Sequence, residues 1–239
     1  MNSVLAAKDL HLVLNGRNVF TIDNLTLLDG EVMALVGPNG AGKSSLLLTL
    51  ALLQTPTQGT IVFKGQTVSR ENLFSFRRRM ALVFREALLI DTTVSRNITI
   101  ALRIRGISGH EASIRRERWL ERFGIIHLAR RQARQLSGGE AQRASLARAF
   151  ALEPEVLFLD EPFASLDYPT RKALLKDLGG ILREMGMTAV FVTHDPTEIP
   201  YLATRVGVLH NGCIIKLGTV QEVLGSELPD IKELSLWPD

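Results

Sequence analysis

Hydrophobic positions along this chain follow two periods, and the change from one to the other marks out its elements. From Val4 to Leu28 apolar and polar residues alternate, and Asn15-Gly16 separates Leu10-His11-Leu12-Val13-Leu14 from Val19-Phe20-Thr21-Ile22. Asn-Gly accepts the positive φ angles of a two-residue turn, so this stretch predicts an antiparallel hairpin. A second turn at Asp29-Gly30 leads into the unbroken apolar run Val32 to Val36, and Met80 to Phe84, Val156 to Leu159 and Thr188 to Thr193 have the same character. Such runs suit strands covered on both faces of a sheet. Thr60 to Phe63, bracketed by Gly59 and Gly65, and the pair Arg205 to Leu209 and Cys213 to Leu217 around Asn211-Gly212 complete the expected strands.

Helical spacing appears between them. Leu46 to Leu53 is a long apolar segment, and Leu174, Leu178, Ile181, Leu182 and Met185 form a stripe along a helix from roughly Thr170 to Met185. Trp119, Leu120 and Phe123 fall on one helix face and predict core packing. Strands that alternate with helices imply a parallel sheet covered on both sides. The expected fold class is α/β: a core from residues 1–85 and 151–224 with an N-terminal antiparallel β subdomain, a helical insertion at 86–150 where Arg and Glu become frequent, and a tail at 225–239.

Composition narrows the class. With 239 residues, 46% of them hydrophobic, a sizeable core is available. No apolar run approaches the roughly 18 residues needed to cross a bilayer, and Leu46 to Leu53 is interrupted by Thr49. The N-terminal Met-Asn-Ser-Val-Leu lacks a basic flank and a sustained apolar stretch, so no export signal is expected and the chain is placed in the cytoplasm. The single cysteine, Cys213, excludes an intrachain disulfide and reads as a buried, inert thiol in a reducing compartment. Basic residues number 28 against 25 acidic ones, too small a surplus to imply a nucleic-acid partner. Arginines cluster at 77–79, at 115, 116 and 118, and at 130, 131 and 134; Glu111, Glu117 and Glu121 interleave the second group, which predicts an ion-paired, solvated helix face.

The candidate chemistry begins after the Val32 to Val36 run. Gly37-Pro38-Asn39-Gly40-Ala41-Gly42-Lys43-Ser44 matches the phosphate-loop pattern G-x-x-x-x-G-K-[ST] at every fixed position, between a strand and a helix, and Ser45 follows it. Glycines let backbone N–H groups converge on an anion, and the helix adds its unsatisfied first-turn donors. Lys43 then serves as a point charge on the β- and γ-phosphates, and the Ser44 hydroxyl as a ligand for Mg²⁺. An ordinary Gly-rich turn would not require both the Lys-Ser pair and these flanks.

Val156-Leu157-Phe158-Leu159 ends in Asp160-Glu161-Pro162. A buried strand presents carboxylates only at its C-terminal edge, where ligands of open α/β sheets sit. Successive side chains diverge, so the two acids take separate tasks: Asp160 to hold Mg²⁺ and Glu161 to polarise an attacking water. A solvent-exposed acid pair is the plainer alternative. In Leu136-Ser137-Gly138-Gly139-Glu140, Ser137 and Glu140 form a capping box, but two glycines in a first helical turn cost about 1 kcal/mol each relative to Ala. Close approach of a phosphate to the helix N-terminus would explain them.

Gly37 to Ser44, Leu136 to Glu140, Val156 to Pro162, Ser165-Leu166-Asp167 and His194 occur in the order and approximate spacing of the ATP-binding cassette ATPases, which the chain resembles over about residues 5–224. That resemblance implies a P-loop NTPase core that binds ATP and Mg²⁺. It also implies a head-to-tail dimer of two copies, with nucleotide held between one copy's phosphate loop and the other's Ser137, Gly138, Gly139 and Glu140. Asp167 would lie in the segment between the two sites, and His194 resembles the histidine that senses the γ-phosphate. Two positions depart from the family. Arg85 stands where a Gln is expected, and a cation beside Mg²⁺ would be repelled, so Arg85 is expected to turn to a phosphate oxygen or an acid. No aromatic residue stands near Val13 and Leu14 to stack on adenine; Phe20 is the nearest.

Glu161-Pro162-Phe163-Ala164-Ser165-Leu166-Asp167 and Val192-Thr193-His194-Asp195 look most like ATPase subunits of binding-protein-dependent importers for oxyanions, and the short chain resembles the tungstate subunits. That likeness implies an integral membrane permease as partner, an extracytoplasmic substrate-binding protein beyond it, and a peripheral place on the cytoplasmic face. Importers of other solutes, or a soluble relative acting on nucleic acid, are the alternatives. A small-molecule phosphoryl-transfer enzyme would have no use for the Leu136 to Glu140 stretch.

Overall fold

The computed structural model describes residues 2–225. Two twelve-residue strands, β1 (Ser3–Leu14) and β2 (Arg17–Leu28), form the expected hairpin, with Asn15 and Gly16 both at positive φ. They are longer than the short alternating runs suggested. β3 (Val32–Val36) is buried throughout and feeds the phosphate loop and α1 (Lys43–Leu50). Leu52 takes φ 62 and Leu53 is exposed, which ends α1 before its apolar sequence does.

β4 (Gln58–Phe63), β5 (Gln66–Thr67), the short α2 (Leu73–Arg77) and β6 (Met80–Val83) follow. Three helices come next: α3 (Val94–Ile104), α4 (Gly109–Arg122) and α5 (Gly138–Ala151). β7 (Val156–Asp160), α6 (Tyr168–Met185), β8 (Ala189–Thr193), α7 (Ile199–Leu202), β9 (Arg205–His210), β10 (Cys213–Thr219) and α8 (Val220–Leu224) complete the described chain. The tail expected at 225–239 lies outside the described residues except for Gly225.

Four strands pair in the order β2-β1-β4-β5, all antiparallel. The other sheet runs β10-β9-β3-β8-β7-β6, parallel from β9 to β6, with β10 antiparallel at its edge. Its central strands divide their side chains between two cores, because neighbouring residues point to opposite faces. Met33, Leu35, Val156, Phe158, Val190 and Val192 pack with α1 and the antiparallel sheet. Val32, Ala34, Leu157, Leu159, Ala189 and Phe191 pack with α6 and α3 to α5. Both faces are therefore covered, as the unbroken apolar runs require.

Trp119, Phe123 and Phe150 have no exposed surface and stack at centroid distances of 4.8 to 6.1 Å, which joins α4 to α5. Arg115 pairs with Glu111 and Glu153, and Arg116 with Glu117, so the charged helix face is ion-paired as its spacing suggested. Cys213 is a correction: it is exposed, not buried, because it begins β10 at the edge of the sheet. Among the described residues no helix is long and apolar enough to cross a membrane.

Candidate nucleotide site

Residues 37–42 leave the C-terminal edge of β3 and turn into α1. An added Cβ at Gly37 would lie 2.1 Å from Leu209 O, and one at Gly42 would lie 2.8 Å from Val19 O, so neither position has room for a side chain. Gly40 and Gly42 also take φ 83 and 96, a region that side-chain-bearing residues rarely adopt. Packing and backbone angle thus force bare main chain here. No side chain caps α1 at Gly42, so its first-turn N–H groups are left for an anion.

Lys43 is 5% exposed and its Nζ donates to Gly37 O at 2.7 Å and Pro38 O at 2.9 Å. Burial pulls its pKa down, while the charges of Glu161 and Asp160 oppose that shift. The ammonium therefore spans the loop that a phosphate would enter. Ser44 and Ser45 lie in the first turn of α1.

Ser44 Oγ donates to Asp160 Oδ1 at 2.9 Å across 116 residues of sequence. Burial raises the pKa of Asp160, the Ser44 bond lowers it, and the Glu161 charge raises it again. Two hard oxygen donors brought together, one a desolvated carboxylate, fit Mg²⁺. Among the described residues no group of three or more His, Cys, Asp or Glu could hold a metal alone. Mg²⁺ keeps waters and takes substrate phosphate oxygens as further ligands.

Glu161 follows directly, with φ 45, and its N–H donates to Val192 O at 3.1 Å. The left-handed backbone angle swings the chain out of the ladder, so the two acids do not share a direction. Glu161 Oε2 lies 3.3 Å from His194 Nδ1 and 3.4 Å from Arg85 Nη1. Arg85 has therefore turned to an acid, one of the two destinations its charge allowed.

Ser137, Gly138, Gly139 and Glu140 stand elsewhere. Ser137 Oγ accepts from Glu140 N at 3.3 Å, and Glu140 Oε2 accepts from Ser137 N at 2.8 Å, a complete capping box. Those bonds from Ser137, backbone first, hold the Glu140 pKa below the usual range. An added Cβ at Gly139 would meet Thr170 Cγ2 at 2.6 Å, whereas at Gly138 the nearest atom is 4.0 Å away. The chain's own Thr170 thus accounts for Gly139, and Gly138 is the glycine left open to a ligand. Asp167 caps α6, accepting from Thr170 N at 3.0 Å. Together these residues line an open cavity of about 510 Å³.

Among the described residues no hydrogen bond or ion pair joins this second group to the first. Phe20, in β2, is fully buried and offers no face to a base; Val13 and Leu14 are each 42% exposed. Sequence reasoning missed Thr170, and it missed Glu198. The latter is 3% exposed and accepts from Thr193 Oγ1 at 2.7 Å.

The fold and the loop together define a phosphate-loop nucleotide-binding protein. This chain belongs to the ABC transporter family, whose model, described as ABC transporter, matches residues 20–164. Similar curated proteins include the sulfate/thiosulfate import ATP-binding protein CysA of Caulobacter vibrioides, 42% identical over 84% of this chain and 60% of that protein. The methionine import ATP-binding protein MetN of Bordetella pertussis is 39% identical over 85% of this chain and 57% of its own length. The chain thus spans 57 to 60% of the length of these two relatives. Among solved structures, cbiO1 of Clostridium perfringens, part of the ABC transporter complex cbiONQ, superposes with TM-score 0.87 at 28% identity, covering 95% of this chain and 93% of that one. A dimeric post-hydrolysis state of the cassette MJ0796, bound to ADP and Pi, gives 0.81 at 27% identity over 90% of this chain and 98% of that one.

Proposed function

We propose that this chain is the ATP-hydrolysing subunit of an importer, acting as a head-to-tail dimer beneath a separate membrane permease. The observation that carries the reading is the division of one site into two halves on one chain. Lys43, Ser44, Asp160, Glu161 and His194 form one half, and the Ser137 to Gly139 helix start with Asp167 forms the other. A second copy, turned head to tail, brings the missing half to each nucleotide.

In that dimer residues 37–45 cradle the phosphates through backbone N–H groups, and Lys43 exchanges its loop carbonyls for phosphate oxygens. Bound Mg²⁺, held by Ser44 and Asp160, would neutralise charge on the phosphates. Glu161 takes the proton of a water whose oxygen bonds to the γ-phosphorus, while the bond to the bridging oxygen breaks and ADP leaves with that electron pair. His194 lies beside Glu161, and in this reading it donates to the γ-phosphate. Gly138 leaves bare N–H groups for the same phosphate from the opposite copy.

Residues 86–150 act as the insertion that passes motion to the permease. A cleft of about 350 Å³ between α2, β6 and α3 has exposed Phe74 and Ile104 on its rim. Its Arg77, Arg78, Arg105 and Arg148 side chains bond backbone carbonyls and have no carboxylate partner among the described residues. An apolar cleft with uncompensated cations suits an amphipathic segment of the permease that carries an acid. The complex would sit on the cytoplasmic face and serve an extracytoplasmic binding protein. We assign the solute to oxyanions, tungstate or a relative of it, supported by the sulfate and thiosulfate importers among the similar proteins.

Glu161→Gln tests the catalytic reading. ATP binding should be retained and turnover should fall by about a thousandfold, the scale of removing a general base. A variant that hydrolyses ATP at the unaltered rate contradicts Glu161 as base.

A further inference from the structure

His194 Nδ1 lies 3.3 Å from Glu161 Oε2, yet the His194 side chain is 50% exposed, so packing alone does not aim the ring. The backbone on either side of it is held instead. Thr193, 2% exposed, ends β8 and pairs with Val36 of β3, which fixes the chain before the histidine. The chain after it is fixed by the Thr193 side chain. Its Oγ1 accepts from Asp195 N at 2.9 Å, closing a hydroxyl turn with His194 at the centre. That hydroxyl has one proton to give. Glu198 Oε2 takes it at 2.7 Å, whereas the other acceptor within reach, Asp195 O, is 3.4 Å away and bonds weakly.

Glu198 is an unfavourable residue to bury. It is 3% exposed beside Ile199, which has no exposed surface, and a carboxyl group leaves water without loss only where its hydrogen bonds are remade. Among the described residues its side chain makes one hydrogen bond, to Thr193, and no ion pair. Asp195 is anchored separately. Its carboxylate accepts from Thr197 N at 3.0 Å, from Thr197 Oγ1 at 2.6 Å and from Arg171 Nη1 of α6 at 3.1 Å. The peptide groups on both sides of His194 are thus held, and the Thr193 hydroxyl joins the two anchors.

We propose that Glu198 and Thr193 are positioning residues for His194: the carboxyl group takes the hydroxyl proton, the hydroxyl keeps Asp195 N, and the turn so closed holds the imidazole against Glu161. This rests on the reading of Glu161 and His194 as parts of the hydrolytic site and adds the residues that set the ring's place.

The test has two readouts on the full chain. One is kcat and KM for ATP hydrolysis with Mg²⁺; the other is the imidazole NMR resonance of His194 in the nucleotide-free protein, assigned by its loss in His194→Ala. Thr193→Val keeps the side chain's shape and removes the hydroxyl. It should lower kcat by about tenfold, the scale of a small misplacement of a reacting group, with KM unaltered, and shift the resonance. Glu198→Leu should do the same, with Glu198→Met in its place if that variant does not fold. Thr193→Ser, which keeps the hydroxyl, should recover most of both. In a His194→Ala background neither Thr193→Val nor Glu198→Leu should lower kcat further. Parent values of kcat and resonance in Thr193→Val or Glu198→Leu overturn the proposal, as does a loss that Thr193→Ser shares or one that adds to that of His194→Ala. If His194→Ala hydrolyses ATP at the parent rate, the reading of His194 in hydrolysis fails and the resonance alone decides: unmoved in both variants, it overturns the positioning as well.

Discussion

Glu198 carries the largest upward pKa displacement described for a carboxyl group here, to about 7, because burial penalises its charged form. The Thr193 hydroxyl bond, Arg171 and His194 act against that shift, and Asp195 adds to it. Its folded-state pKa lies above the ordinary carboxylate value, so folding binds a proton. The resulting stability is complete below pH 4.5 and is lost as pH rises toward 7. On the order of 3 kcal/mol is at stake, taken from the pKa displacement. Glu198→Gln keeps the shape of the neutral acid and never ionises. Its thermal midpoint should exceed that of the parent at pH 8 and match it near pH 5; equal midpoints at both would show that Glu198 stays ionised. Among single residues, the sequence singled out Lys43, Ser44, Asp160 and Glu161 by their spacing, and the structure brings Ser44 to Asp160 and Glu161 to His194. It did not reveal what Gly139 faces, because Thr170 reaches that spot from another helix. Cys213 misled because a thiol's burial depends on whether its strand is central or at an edge.

Elements are legible when their period is enforced by a covered face. Strands β3, β7 and β8 were readable as unbroken apolar runs because both their faces meet a core. The end of α1 was not, since a left-handed residue at Leu52 interrupts an apolar sequence that would continue the helix. Helices α3 to α5 look separate in composition, yet Ile98, Trp119, Leu120 and Phe150 belong to the same apolar core as Leu157, Leu159 and Phe191 of the sheet. Shared burial predicts shared unfolding. Trp119→Ala removes a side chain with no exposed surface and two aromatic neighbours, Phe123 and Phe150, and should cost about 3–5 kcal/mol. Denaturation followed separately by near-ultraviolet and far-ultraviolet dichroism should still give one coincident transition at a lower midpoint. An early, separate transition of the helices would contradict a common core.

At the scale of the whole molecule, two groups of candidate site residues stand apart on one chain. The phosphate loop ends β3 and the acids end β7, two strands of one sheet edge separated only by β8. The Ser137 to Glu140 helix start belongs to α5 and shares its cavity with the start of α6. In the proposed reading closure of the nucleotide site falls to a second copy, and that is the claim on which catalysis and coupling depend. It is tested most directly by the mass in solution of the 26.4 kDa chain carrying Glu161→Gln, measured by light scattering with ATP and Mg²⁺. The account predicts a mass twice that of the nucleotide-free chain, reverting when ATP is removed. A mass that stays at one chain with ATP bound, even with its membrane partner supplied, would contradict it.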